Sequence, residues 1–237
     1  MSEPLLQVDG LDAFYGRAHI LFDVSLEVRR GEVVALMGRN GAGKSTTLKA
    51  IMGLLPGRSG RVAFRGRDVS RLEPYQVSRA GLGYVPEDRR IFTDLTVEEN
   101  LEVGRQPPRS GLAAWTVEKL LDLFPNLREA RARSAGRMSG GEQQMLTVAR
   151  TLMGNPRLVL LDEPSEGVAP VVVEQMARMI QELKGQGVSI LLSEQNLHFA
   201  ELVSDRAYVL EKGHIRYSGT LEDLVADEEV RRSYLSV

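Results

Sequence analysis

The sequence predicts an α/β fold with a parallel-sheet core, a β-rich opening lobe and a helical insertion. Three observations carry that expectation. An apolar run at 33–37 breaks at Gly38, and helical spacing over 44–52 stops at Gly53, which reads as strand, glycine loop, helix. Apolar runs at 158–161 and 188–192 enclose a segment of helical periodicity at 171–183, an alternation that predicts parallel strands. From about 96 to 153 the β-branched runs disappear, and helical periodicity takes over at 117–124 and 142–152.

The remaining elements follow from local pattern. Residues 5–8 and 24–28 are short apolar or alternating runs bounded by Gly, Asp and Arg, so the opening is read as strands. More strand signal lies at 61–64 and 82–85. Alternation over 206–210 and 214–217, joined through Glu211, Lys212 and Gly213, predicts a terminal hairpin. No internal repeat is visible.

Composition narrows the class. The 237 residues are 43% hydrophobic and 26% charged, an ordinary globular balance that suits one compact unit. A net charge of −2 gives no general pull on phosphate backbones. The densest basic stretch, Arg128, Arg131, Arg133 and Arg137, is interrupted by Glu129 and lacks aromatic residues, so it is read as a solvated face and no nucleic-acid partner is expected. The absence of cysteine excludes disulfides, thiolate zinc sites and cysteine nucleophiles. The opening MSEPLLQVDG has no basic stretch leading into an apolar one, so no secretory signal is expected and the chain is expected to stay in the cytoplasm. No apolar run approaches the roughly 18 residues of a membrane span, so any membrane connection is expected to run through partners.

The strongest motif is GRNGAGKST at 38–46, which satisfies G-x-x-x-x-G-K-[ST] and sits after a buried-looking strand at a helix start. Its glycines let backbone N–H groups converge on phosphate oxygens, and the helix N-terminus adds the positive end of its dipole. Gly38, Arg39, Asn40, Gly41, Ala42, Gly43, Lys44, Ser45 and Thr46 are therefore the candidate residues for a nucleoside triphosphate. Lys44 supplies a point charge and the Ser45 hydroxyl a ligand for Mg²⁺. Lys44 is expected to face solvent, so that its removal should leave the chain folded.

Two further motifs extend the site. RLVLLDEP at 157–164 is a hydrophobic strand ending in two carboxylates at a sheet tip, where open α/β sheets bind ligands. Beside a phosphate loop, Asp162 is expected to serve Mg²⁺ directly or through its shell, and Glu163 to orient or deprotonate an attacking water. MSGGEQQ at 138–144 fits a capping box from Ser139 to Glu142, with two glycines that leave a backbone-rich anion site at a helix N-terminus. A guanine-reading N-K-x-D motif is absent, which argues against a GTPase.

The order phosphate loop, SGGEQQ, LLDEP resembles the ATP-binding cassette family across essentially the whole chain. The resemblance implies a P-loop NTPase of ABC type, a single domain over 1–237 with a helical subdomain at approximately 90–155, hydrolysing ATP with Mg²⁺. It implies that Ser139, Gly140, Gly141, Glu142 and Gln143 cap nucleotide held by an opposite subunit, and that Tyr15 stacks on adenine. Glu87 stands where the family's Q-loop glutamine serves the metal, Gln195 in place of the switch histidine, and Ala169 in place of a common aspartate. YVPEDRRIF, DEPSEGVAP and LLSEQN together are similar to the smaller ATPase subunit of high-affinity branched-chain amino acid importers, the LivF type, with relatives that serve urea and short amides. That likeness implies integral-membrane permease partners, a second ABC ATPase subunit and, indirectly, a solute-binding protein, with this chain peripheral on the inner face of the membrane. A non-transport ABC protein, or a nucleotide-dependent clamp with little hydrolysis, are the alternatives.

Overall fold

A computed structural model describes residues 3–111 and 113–235; Met1 and Ser2, part of the opening read for a signal, lie outside them. Strands β1 (Leu6–Tyr15), β2 (Ala18–Val28) and β3 (Val33–Met37) lead into helix α1 (Lys44–Ile51). β4 (Gly57–Phe64), β5 (Arg67–Asp68), α2 (Pro74–Ala80) and β6 (Leu82–Val85) follow. The helices α3 (Val97–Val103), α4 (Val117–Leu123), α5 (Pro125–Glu129) and α6 (Gly140–Leu152) then separate β6 from β7 (Leu158–Asp162). The chain continues through α7 (Pro170–Gly185), β8 (Ser189–Glu194), α8 (Leu197–Val203), β9 (Arg206–Glu211) and β10 (His214–Thr220), and closes with α9 (Leu221–Ala226) and α10 (Glu228–Val230).

Two sheets result. The first has four strands in the order β2-β1-β4-β5, and the second six in the order β10-β9-β3-β8-β7-β6. In the larger sheet β9, β3, β8, β7 and β6 run parallel, and only β10 is antiparallel. Layers on both faces explain the unbroken apolar runs. Val33, Ala35 and Met37 pack with α6, α7 and α8, whereas Val34 and Leu36 pack with α1 and the smaller sheet. Every residue of β3, β7 and β8 is buried in consequence.

The opening strands are longer than the expected 5–8 and 24–28. Asp9, Gly10 and Asp12 interrupt the alternation in sequence, and β1 absorbs them by register shifts between Val8 and Leu11 and again before Phe14. In the basic stretch that begins within α5, Arg128 reaches Asp122 at 2.6 Å and Arg131 reaches Glu118 at 2.8 Å. Among the described residues no helix is long and apolar enough to cross a membrane.

Candidate functional site

The loop between β3 and α1 folds as its glycines require. Gly38 has φ 153, and a Cβ there would lie 2.4 Å from the Leu210 carbonyl oxygen. Gly43, at φ 111, is the N-cap of α1 and offers no capping side chain, and no acidic residue sits in the first turn. The first N–H groups of α1 are thus left for an anion. The hairpin turn between β9 and β10 braces the loop, because the Gly213 N–H donates to the Ala42 carbonyl at 2.9 Å.

Lys44 departs from expectation: it is 3% exposed rather than solvent-facing. Its Nζ donates to the carbonyls of Gly38 at 2.8 Å and Arg39 at 3.1 Å, and pairs with Glu163 Oε1 at 3.1 Å. The reason lies in the topology, since β3 and β7 run parallel on either side of β8, and the sheet delivers the β3 loop and the tip of β7 to the same edge. Glu163 is itself 7% exposed, held at φ 45, and its Oε2 is buried without a hydrogen-bond donor. A glutamate in the left-handed region stores strain of about 1–3 kcal/mol, which the fold tolerates where a side chain must be aimed.

Asp162 is buried at 1% exposure beneath this pair. Tyr84 Oη donates to its Oδ2 at 2.9 Å and Ser193 Oγ to its Oδ1 at 2.8 Å. The same Ser193 Oγ accepts from the Glu163 N–H at 3.0 Å, so one hydroxyl from β8 orients both acidic residues of β7. Burial, reinforced by the Asp162 carboxylate, pushes the Tyr84 phenol well above its ordinary range and keeps it a donor. Next along β8, Glu194 is buried and accepts from the N–H groups of Ser165 at 3.2 Å and of Gln195 and Asn196 at 3.0 Å. Burial raises its carboxyl above the usual range despite those donors. Its role is to pin the loops that carry Gln195, which is exposed at the tip of β8.

A third carboxylate completes the edge. Interaction with the Glu163 carboxylate, followed by desolvation and the charge of Glu87, lifts the Glu166 carboxyl to about 7. Glu87 is exposed on the segment after β6, near enough to act electrostatically on Glu166.

The SGGEQQ element is placed elsewhere. Ser139 caps α6 by accepting from the Glu142 N–H at 3.3 Å, while Glu142 Oε2 accepts from the Ser139 N–H at 2.7 Å. Hydrogen bonding to Ser139 holds the Glu142 carboxyl below its usual range. Gln143 donates to the Met138 carbonyl at 3.2 Å. Gly140 lies under the Arg89 guanidinium and Gly141 under Val172. Tyr15 sits at the β1–β2 turn, 48% exposed. Ser193, Tyr84, Glu166 and Arg89 were not singled out from sequence; only their adjacency to strand tips marked them.

Comparison with known proteins agrees with this geometry. The ABC transporter family profile matches residues 21–166. The chain is 43% identical over 231 residues to the high-affinity branched-chain amino acid transport ATP-binding protein BraG of Pseudomonas aeruginosa, covering 98% of this chain and 99% of that one. It is 37% identical over 229 residues to the lipopolysaccharide export system ATP-binding protein LptB of Escherichia coli K12, covering 94% and 93%. A crystal structure of a nucleotide-free ATP-binding cassette from an ABC transporter superposes with a TM-score of 0.82 at 29% identity, covering 96% of this chain and 97% of that one. A phosphate loop at an uncapped helix, a buried carboxylate pair at the tip of β7 and these likenesses converge: the chain belongs to the ABC transporter ATP-binding family and is an ATP-binding subunit that hydrolyses ATP to power transport.

Proposed function

We propose that this chain energises an importer of branched-chain amino acids, working in the cytoplasm beneath permease subunits and closing head to tail on a second ABC ATPase subunit. The likeness to BraG supports the substrate class. The arrangement around Lys44 supports the mechanism. The Nζ donors now held by Gly38, Arg39 and Glu163 are those that turn to the β and γ phosphates, which releases the Glu163 carboxylate to orient or deprotonate water. Ser45 and Asp162, with Glu87 nearby, are the residues that would hold Mg²⁺, which neutralises charge on the phosphates. Phosphate oxygens of the bound nucleotide would complete the ligand set. Ser139, Gly140 and Gly141 close on nucleotide held by the partner, and Gln195 takes the place of a switch histidine without its charge.

A groove of about 370 Å³ between the start of β6 and the ends of α3 and α6 supports the docking of permeases. Phe92 and Val103 line it at 48% and 54% exposure. The likeness to LptB favours one rival reading, an exporter motor. The deciding experiment reconstitutes the chain with its permeases, its sister ATPase subunit and the solute-binding protein. Leucine-loaded binding protein should stimulate ATP hydrolysis and drive leucine uptake. Absence of stimulation, with rescue of lipopolysaccharide export in cells depleted of their own exporter ATPase, would replace the importer reading.

A further inference from the structure

The segment after β6 is tied to α6 at Arg89, Arg90 and Phe92. Thr147 Oγ1 donates to the Arg89 carbonyl at 2.6 Å, and Arg150 donates to the Arg90 carbonyl at 2.6 Å while its guanidinium lies 4.9 Å from the Phe92 ring centroid. Both Arg89 and Arg90 are in the left-handed region, at φ 63 and φ 50. This backbone sends the Arg89 side chain to the first turn of α6. A Cβ on Gly140 would lie 2.6 Å from Arg89 Nη1 and 3.2 Å from its Cζ and Nη2, so the guanidinium occupies the space that glycine leaves.

Electrostatically this is a poor place for a cation. The N-terminus of α6 carries the positive end of the helix dipole, where anions are favoured and cations are not. The neighbouring carboxylates are committed elsewhere: Asp88 to Arg90 at 2.9 Å, and Glu142 to the Ser139 N–H, with Arg133 at 3.8 Å. Among the described residues no carboxylate pairs with Arg89. In the free chain a half-buried guanidinium is therefore held against a like potential, and a phosphate seated at Ser139 and Gly140 relieves both.

We infer that Arg89 is a substrate-binding residue of the composite nucleotide site, contributing a charged contact to the terminal phosphate of the ATP held by the partner subunit. This rests on the head-to-tail reading above and adds to it a group from outside SGGEQQ. Because Phe92 and Arg150 line the docking groove and Arg89 and Arg90 are bonded to the same helix, movement of a permease in the groove also reaches this contact.

Two readouts with opposite signs test it. Arg89→Gln keeps a hydrogen-bonding amide but removes the charge. In the assembled transporter it should raise the KM for ATP about tenfold, the scale of one charge-assisted hydrogen bond, and Arg89→Lys should recover most of that loss. In the isolated nucleotide-free chain Arg89→Gln should leave the melting temperature unchanged or raise it. A lowered melting temperature with KM within twofold of the parent would make Arg89 a packing residue and overturn the proposal. Ser139→Arg, measured in parallel, separates the two readings. If it abolishes hydrolysis while Arg89→Gln is silent, the trans site stands and Arg89 has no part in it. If both are silent, the trans reading falls and this inference with it.

Discussion

Replacing Lys44 by alanine tests the most consequential feature of the site, its burial. Lys44 and Glu163 are 3% and 7% exposed and 3.1 Å apart, and Glu163 Oε2 has no donor of its own. Truncation leaves a buried carboxylate facing a void, together with the carbonyls of Gly38 and Arg39 that Nζ now satisfies. Breaking one side of a buried ion pair costs about 3–5 kcal/mol. The phosphate loop is exposed at Arg39, Asn40 and Gly41 and can relax to admit water, which lowers the expectation to about 2–4 kcal/mol. For a chain of this size that corresponds to a fall in Tm of roughly 5–15 °C. Thermal or urea unfolding of the nucleotide-free protein measures it. A double-mutant cycle with Glu163→Gln isolates the pair: with the carboxylate neutralised, Lys44→Ala should cost about 2 kcal/mol less. Losses that add within about 0.5 kcal/mol would refute a stabilising buried pair. The consequence is practical, since lost ATP binding in Lys44→Ala is interpretable only below the lowered melting transition.

Glu163→Gln should preserve ATP binding and reduce turnover at least a hundredfold, the range expected for a general base or water orienter; wild-type turnover would dismiss Glu163 from catalysis. Ser193→Ala removes the hydroxyl that serves both Asp162 and the Glu163 N–H, and should lower kcat by about tenfold with little change in secondary structure, since a hydrogen bond to a charged group is worth about 1.5–3 kcal/mol. An unchanged kcat would mean that backbone geometry alone aims β7. Glu166, raised to about 7 from an ordinary 4.5, holds a proton in the folded chain that it releases on unfolding. Its contribution is therefore fully present on the acid side and is lost as pH rises through about 7. Glu166→Gln should flatten the stability profile of the nucleotide-free protein between those two values; an identical profile would show that the Glu166 carboxyl is not raised in the folded chain.

Local pattern alone determined much of this protein. The strand–loop–helix at 33–52 and the terminal hairpin were legible because burial on both faces makes parallel strands continuously apolar, and because glycine marks where backbone must turn or approach phosphate. Ser139 and Glu142 likewise announced the start of α6 through a cap formed by residues three apart. The full length of β1 was not legible, since its bulges break the alternation that identifies a strand. Nor was the environment of Lys44. Whether its charge meets water or Glu163 depends on the order of strands in the sheet, and β7, one strand away from β3 across β8, follows it by more than a hundred residues in sequence. Ser193, Tyr84 and Arg89 escaped notice for the same reason. A serine, a tyrosine and an arginine near strand ends are unremarkable until the sheet order sets them against Asp162, Glu163 and Gly140, because hydrogen bonds and charges act through space rather than along the chain.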